Sequence, residues 1–164
     1  MLERKYLAHF IDANFDPKGT TTDYVRLGEG IEEFSVEMNP EIETTNDIIG
    51  NSNAVLKSYE VSASVDPYYY THDDALSEKL QEICEKELKG DECKTTVVDV
   101  WLKPGADGGE PEVTSASRRE VIIAVQSYGG DTAGVQIPFT INGRKNKVLG
   151  RFDLTTKKVT EGSL

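Results

Sequence analysis

The chain is poor in the side chains that most enzymes use. Histidine occurs twice, at His9 and His72, and cysteine twice, at Cys84 and Cys93. There is no CxxC, which excludes a zinc ribbon and a dithiol redox motif. HExxH, a P-loop and GxSxG are also missing. Two cysteines are few for a secreted disulfide scaffold, so the sequence predicts reduced thiols in a cytosolic product. A bridge across the turn between them stays geometrically open. Bases are scarce too: 18 Lys and Arg face 29 Asp and Glu, for a net charge of -11. That balance excludes gripping duplex DNA by its phosphates and docking on anionic lipid. No apolar run approaches the roughly 18 residues of a membrane span, so no membrane insertion is expected. Met1–Phe15 carries Glu3 and no long apolar core, so it does not read as a secretory signal.

What is present fits one domain spanning 1–164. A chain of this size buries roughly 70% of its unfolded surface and needs no staple to fold. Period-two alternation dominates. Val135, Ile137, Phe139 and Ile141 share one face, and Pro138 marks an edge or a bulge there. Val148, Phe152 and Leu154 line up again, with Asn142-Gly143 as a hairpin turn between the two runs. Arg119–Ser127 is apolar on both faces and reads as a central strand covered twice. Further strands are expected at Lys5–Ile11, Tyr24–Leu27, Ile31–Met38, Asn53–Val65 and Thr95–Lys103. The fold class is therefore mainly β, a sandwich or barrel of mostly antiparallel strands with one flanking helix.

That helix is expected over 73–89. Leu76, Leu80, Ile83, Cys84 and Leu88 make one apolar stripe, Asp73 or Asp74 caps its start, and Gly90 ends it. The stripe is expected to pack on the sheet. His72 with Asp73 and Asp74 reads as capping chemistry rather than a metal site. Trp101 is expected in the core or at an interface, and Tyr68–Tyr70 on the shoulder before the helix. Gly129–Gly134 reads as a turn, since no GK[ST] follows.

Long loops are expected at 13–23, 39–53 and 104–117. The last carries Asp107, Glu110 and Glu112 without the ordered spacing of a calcium loop, so these read as solvated charge. The segment 39–53 differs, because Ile42, Ile48 and Ile49 are apolar residues that a disordered loop does not need. They point to docking on a neighbouring subunit. Charge is segregated as well. Leu27–Leu56 holds seven carboxylates (Glu29, Glu32, Glu33, Glu37, Glu41, Glu43, Asp47) and no base. Arg144–Lys158 holds six bases, Arg144, Lys145 and Lys147 among them, against Asp153. Unlike surfaces on one chain can meet head to tail, which closes a ring or propagates a filament.

The stretches SVEMNPEIETTNDIIG, SYEVSASVDPYYYTHDDALSEKLQEI, TTVVDVW and SYGGDTAGVQIPFTINGRKNKVLGRFD resemble the major tail (tail tube) proteins of long-tailed bacteriophages and prophages of Gram-positive bacteria. The resemblance spans Ile31–Leu154 and is most distinctive at Phe34–Gly50 and Ser127–Phe139. It implies a small β-sandwich or barrel with one helix that self-assembles into stacked hexameric rings, a virion tube through which DNA passes on ejection. It implies no catalysis and no cofactor. The implied partners are further copies of the chain, other tail proteins (tape measure, terminator, baseplate or tip) and DNA in transit. Synthesis would be in the host bacterial cytoplasm. The matching subunit-interface loop carries Glu41, Ile42, Glu43, Asp47, Ile48 and Ile49. Glu33 and Glu37 become candidates for an electronegative bore, and Arg144, Lys145 and Lys147 for the complementary patch. A contractile tail or injection particle would use a similar subunit. A β-sandwich that binds carbohydrate or a host surface through Trp101 or Tyr68–Tyr70, and a two-carboxylate glycosidase, are the readings of other classes.

Overall fold

A computed structural model describes residues 1–161. The strands in chain order are β1 (Leu7–Asp12), β2 (Tyr24–Leu27), β3 (Val36–Glu37), β4 (Pro40–Asn46), β5 (Ser52–Tyr59) and β6 (Ser62–Val65). The helix α1 (Ala75–Lys86) follows, then β7 (Lys94–Lys103), β8 (Glu112–Val125), β9 (Gly129–Asp131), β10 (Gly134–Gln136), β11 (Phe139–Gly143), β12 (Val148–Asp153) and β13 (Lys158–Glu161). Nine strands form one antiparallel sheet in the order β2-β1-β7-β8-β11-β6-β3, with β12 on β8 and β13 on β12. The sheet curls into a half-barrel flanked by a single helix, so the mainly-β class with one helix is the observed one.

The two faces of the sheet carry two cores. Under α1, Ile11, Val65, Leu76, Leu80, Val121, Ile123, Phe139 and Ile141 pack together. On the opposite face, Phe10, Tyr24, Val98, Val100, Leu102, Ala116 and Phe152 form the second core. Adjacent residues of a strand point oppositely, so Phe10 and Ile11 feed different cores.

Several expectations are corrected. The strand covered on both faces is β1, buried from Ala8 to Asp12. In β8, Val121 and Ile123 are buried but Ile122 is exposed, because α1 covers one face only. Asn142-Gly143 is not a hairpin turn. β11 pairs residues 121–125 of β8 and β12 pairs residues 116–118, so the chain runs on along the same edge. The amides of Arg144 and Lys145 donate to the Glu120 carbonyl across the gap. The helix is shorter than 73–89. It ends at Lys86 because Glu87 takes a left-handed conformation (φ 49°), three residues before Gly90. Asp74 stands at the N-cap, but its carboxylate accepts from the hydroxyls of Tyr68 (2.7 Å) and Ser77 (2.8 Å) instead of backbone amides. Of Ile31–Met38, only Val36–Glu37 finds a strand partner, in β6. The 104–117 loop closes early, since β8 begins at Glu112 and continues the β7 pairing. Residues 13–23 form an irregular loop. Of Gly129–Gly134, expected as a turn, only Thr132 and Ala133 turn, since Gly129–Asp131 is β9 and Gly134 opens β10.

Candidate assembly surface

The segment 39–53 is a strand-turn-strand, not a loop. β4 and β5 pair from Pro40↔Tyr59 to Asn46↔Ser52, with a bulge between Glu41 and Ile42. β-Branched Ile42, Thr44, Thr45 and Val55 favour this pairing. The turn is set by Asp47, whose Oδ1 accepts the amides of Ile49 (3.1 Å) and Asn51 (2.9 Å). Gly50 takes a φ of 88°, which a side chain would resist. At the base, the Asn39 side chain donates to the Glu60 carbonyl (2.9 Å) and to Ser62 (3.0 Å).

Every residue of the hairpin is exposed. Cross-strand partners share a face, so Ile42 lies beside Leu56 and Thr44 beside Ala54. Ile48 at the tip is fully exposed (105%) and Ile49 nearly so (78%). The acids of the hairpin are lightly held. Ser58 donates to Glu41 (3.0 Å), and Lys57 lies 3.6 Å from Glu43. An isolated two-stranded ribbon is marginal in water. Five large apolar side chains (Ile42, Ile48, Ile49, Val55, Leu56) stand exposed on this ribbon, which makes it a candidate surface for a partner. The six proposed interface residues all lie on this hairpin.

The candidate bore residues sit beside it. Glu37 is exposed on the two-residue strand β3, and Glu33 is exposed in the irregular segment before it. The basic patch is more heavily engaged than its sequence run implied. Glu120 of β8 binds Arg144 at 2.8 Å and Lys145 at 3.1 Å. Arg119 donates to the Lys145 carbonyl at 2.7 Å. Lys147 has no ion-pair partner among the described residues.

A second feature has no signal in the sequence. Buried His9 of β1 meets Asp99 of β7 through Nδ1 at 2.6 Å and the Arg4 guanidinium through Nε2 at 3.0 Å. A guanidinium only donates, so Nε2 accepts and the imidazole proton on Nδ1 goes to Asp99. Arg4 also donates to the Phe34 carbonyl (3.1 Å), and the Phe34 ring stands edge-on to His9 at 4.6 Å. This cluster pins the irregular segment before β3 onto the sheet. Beside it opens a cleft of about 510 Å³ lined by Phe34, Met38, Tyr59, Trp101, Arg119 and Lys147, among others. Trp101 is half exposed (49%), so it is not a core residue. Of the tyrosine run, Tyr68 is buried against Phe139 while Tyr69 lies at the surface.

Among the described residues, no group of three or more His, Cys, Asp or Glu is placed to hold a metal ion. Cys84 and Cys93 are free, and burial pushes both thiols up from their ordinary value, which disfavours the thiolate. No described helix is long and apolar enough to cross a membrane.

The curled antiparallel half-barrel with one helix is a fold that this chain shares with a solved component of an extracellular contractile injection system. In particular, the chain is similar to the PVC sheath/tube terminator of an extracellular contractile injection system, solved in its extended state. The TM-score is 0.54 at 8% identity, over 92% of this chain and 97% of that one. At that identity the likeness is one of fold. No family model matches the chain, and no curated protein matches it.

Proposed function

We propose that this chain is a structural subunit, without catalytic activity or cofactor, that joins copies of itself into rings stacked as the tube of a phage-type tail. The observation that carries the reading is the β4–β5 ribbon, exposed along its whole length with Ile42, Ile48, Ile49, Val55 and Leu56 uncovered on it. The fold likeness to a tube terminator and the resemblance of Phe34–Gly50 and Ser127–Phe139 to tail tube proteins support it. In this reading the partners are further copies, other tail components and DNA in passage. The acidic excess serves transit: fixed carboxylates such as Glu33, Glu37, Glu41 and Glu43 repel phosphates within about 8 Å of the wall, so DNA slides without trapping contacts. The subunit is made in the bacterial cytoplasm and works in the particle.

A second reading keeps the fold and changes the position. The solved neighbour ends a tube, and a chain doing the same would form one ring and stop. Negative-stain microscopy and light scattering of the concentrated protein separate the two. Tubes that lengthen with concentration establish the tube subunit, and a discrete ring of fixed mass establishes the terminator. A monomer at every concentration and salt, with a saturable glycan, would replace both with a binding module.

A further inference from the structure

If identical chains join head to tail, a projecting knob on each copy requires a socket on each copy. The socket proposed here rests on that self-assembly reading. The face of the sheet that α1 covers at Ile11, Val97, Val121 and Ile123 continues beyond the helix. By the period-two rule it next presents His9 on β1, Asp99 and Trp101 on β7, and Ser117 and Arg119 on β8. No element of the described chain covers Trp101, and Met38 and Tyr59, each half exposed, stand across the cleft from it.

The charge of this cleft is opposite to that of the molecule. The chain carries -11, yet Arg4, Arg119 and Lys147 all line the cleft. Arg4 and Arg119 donate to carbonyl oxygens and to the His9 nitrogen, neutral acceptors that leave their charge in place. The one acid of the lining, Asp99, is engaged by His9.

The complementary piece is the hairpin tip, with Ile48 and Ile49 beside Asp47. Asp47 spends Oδ1 on the turn and leaves Oδ2 to a partner. A chain cannot fill its own socket. Met38 and Tyr59, at the base of the hairpin, form the rim of the cleft, and the seven residues of β4 carry the tip about 24 Å away at roughly 3.4 Å per residue. We infer that the Trp101 cleft receives the β4–β5 tip of a second copy, with Ile48 and Ile49 against Trp101, Phe34 and Met38, and the Asp47 carboxylate toward Arg4, Arg119 and Lys147. Tip and cleft are different surfaces of one chain, so the contact is heterologous and repeats without using itself up.

Trp101 is the only tryptophan, so its fluorescence reports the cleft alone. The full chain is titrated through the concentration at which light scattering detects higher-order particles. The expected result is a blue shift of emission and a several-fold fall in acrylamide quenching that rise together with scattering. In parallel, a benzophenone photo-crosslinking side chain replaces fully exposed Ile48, where folding is not at stake. The expected product links position 48 of one copy to 34–38 or 99–101 of another. Particles in which Trp101 stays fully quenchable, with cross-links confined to other segments, overturn the socket and leave self-assembly standing. A chain that forms no higher-order species at any concentration overturns both.

Discussion

β1 and the β4–β5 ribbon invert the usual association of polarity with exposure. β1 reads Leu-Ala-His-Phe-Ile-Asp and is buried from Ala8 to Asp12, its histidine and aspartate included. The ribbon holds Ile42, Val55 and Leu56 and buries none of them. What separates the two is partnership. In β1 every polar side chain is satisfied. Asp99 and Arg4 take both nitrogens of His9, and the Asp12 carboxylate accepts the amides of Asn14, Asp16 and Asp23, each at 3.0 Å. In the ribbon it is the apolar side chains that lack partners. A buried polar group with its bonds made is a finished piece of structure, whereas an exposed apolar ribbon is an unfinished one.

The sharpest way to break this comparison is through the stability of the monomer. Phe10→Ala removes a ring that packs on Phe152 at 4.6 Å and should cost about 4 kcal/mol in urea unfolding. Ile42→Ala on the ribbon should cost no more than about 0.5 kcal/mol. Equal costs would mean that the ribbon is part of the core. Asp12→Ala comes next, because it strands three part-buried backbone donors. A loss of about 3 kcal/mol is expected, and a loss of under about 1 would show that water replaces the carboxylate.

Ribbon and clamp should separate in assembly as well. Ile48→Asp with Ile49→Asp should leave the unfolding midpoint within about 0.5 kcal/mol of the parent and abolish particles in electron micrographs. Unchanged particles would remove the ribbon from the interface. Among the bases, Lys147→Glu should weaken assembly more than Lys145→Glu, and most at low salt, because Lys145 is already held by Glu120 and Lys147 is not. Equal effects, independent of salt, would dismiss charge complementarity.

The sequence made some of this legible for clear reasons. The helical stripe is local, and Leu76 and Leu80 lie in the first core with Cys84 packed against it. Tyr24–Leu27 is the observed β2 because alternation is also local. The apolar content of 39–53 was readable, but its strands were not. An Asp47–Gly50 turn that folds the segment back on itself competes with a loop reading, and no burial pattern betrays a ribbon exposed on both faces. The His9–Asp99 contact joins residues 90 positions apart, so only the β1–β7 register creates it. The β11–β12 hairpin failed because one long strand, β8, offers the same edge twice. The basic run was overvalued for a similar reason: Glu120 neutralises part of it from another strand.

The smallest expected effect lies at the end of β1 and in the loop after it, where Asp12 and Asp16 respond to acid in opposite directions. Asp16 is held down to about 2, chiefly by the Thr21 amide and then by the Thr20 hydroxyl, from an ordinary value of 3.8. Its contribution is complete above 3.8 and is lost as pH falls through 2. Asp12 is pushed up by burial, which outweighs its three amide donors, so ionising it opposes folding. Its contribution is present at low pH and lost as pH rises through its raised value. Acidification should therefore loosen the Asp16–Thr21 turn while β1 stays protected. In amide exchange, Thr21 should lose protection between pH 3.8 and about 2 before Ile11 does. Simultaneous loss would mean that loop and strand open as one unit, and that the finished polar structure of β1 extends further along the chain than its own hydrogen bonds require.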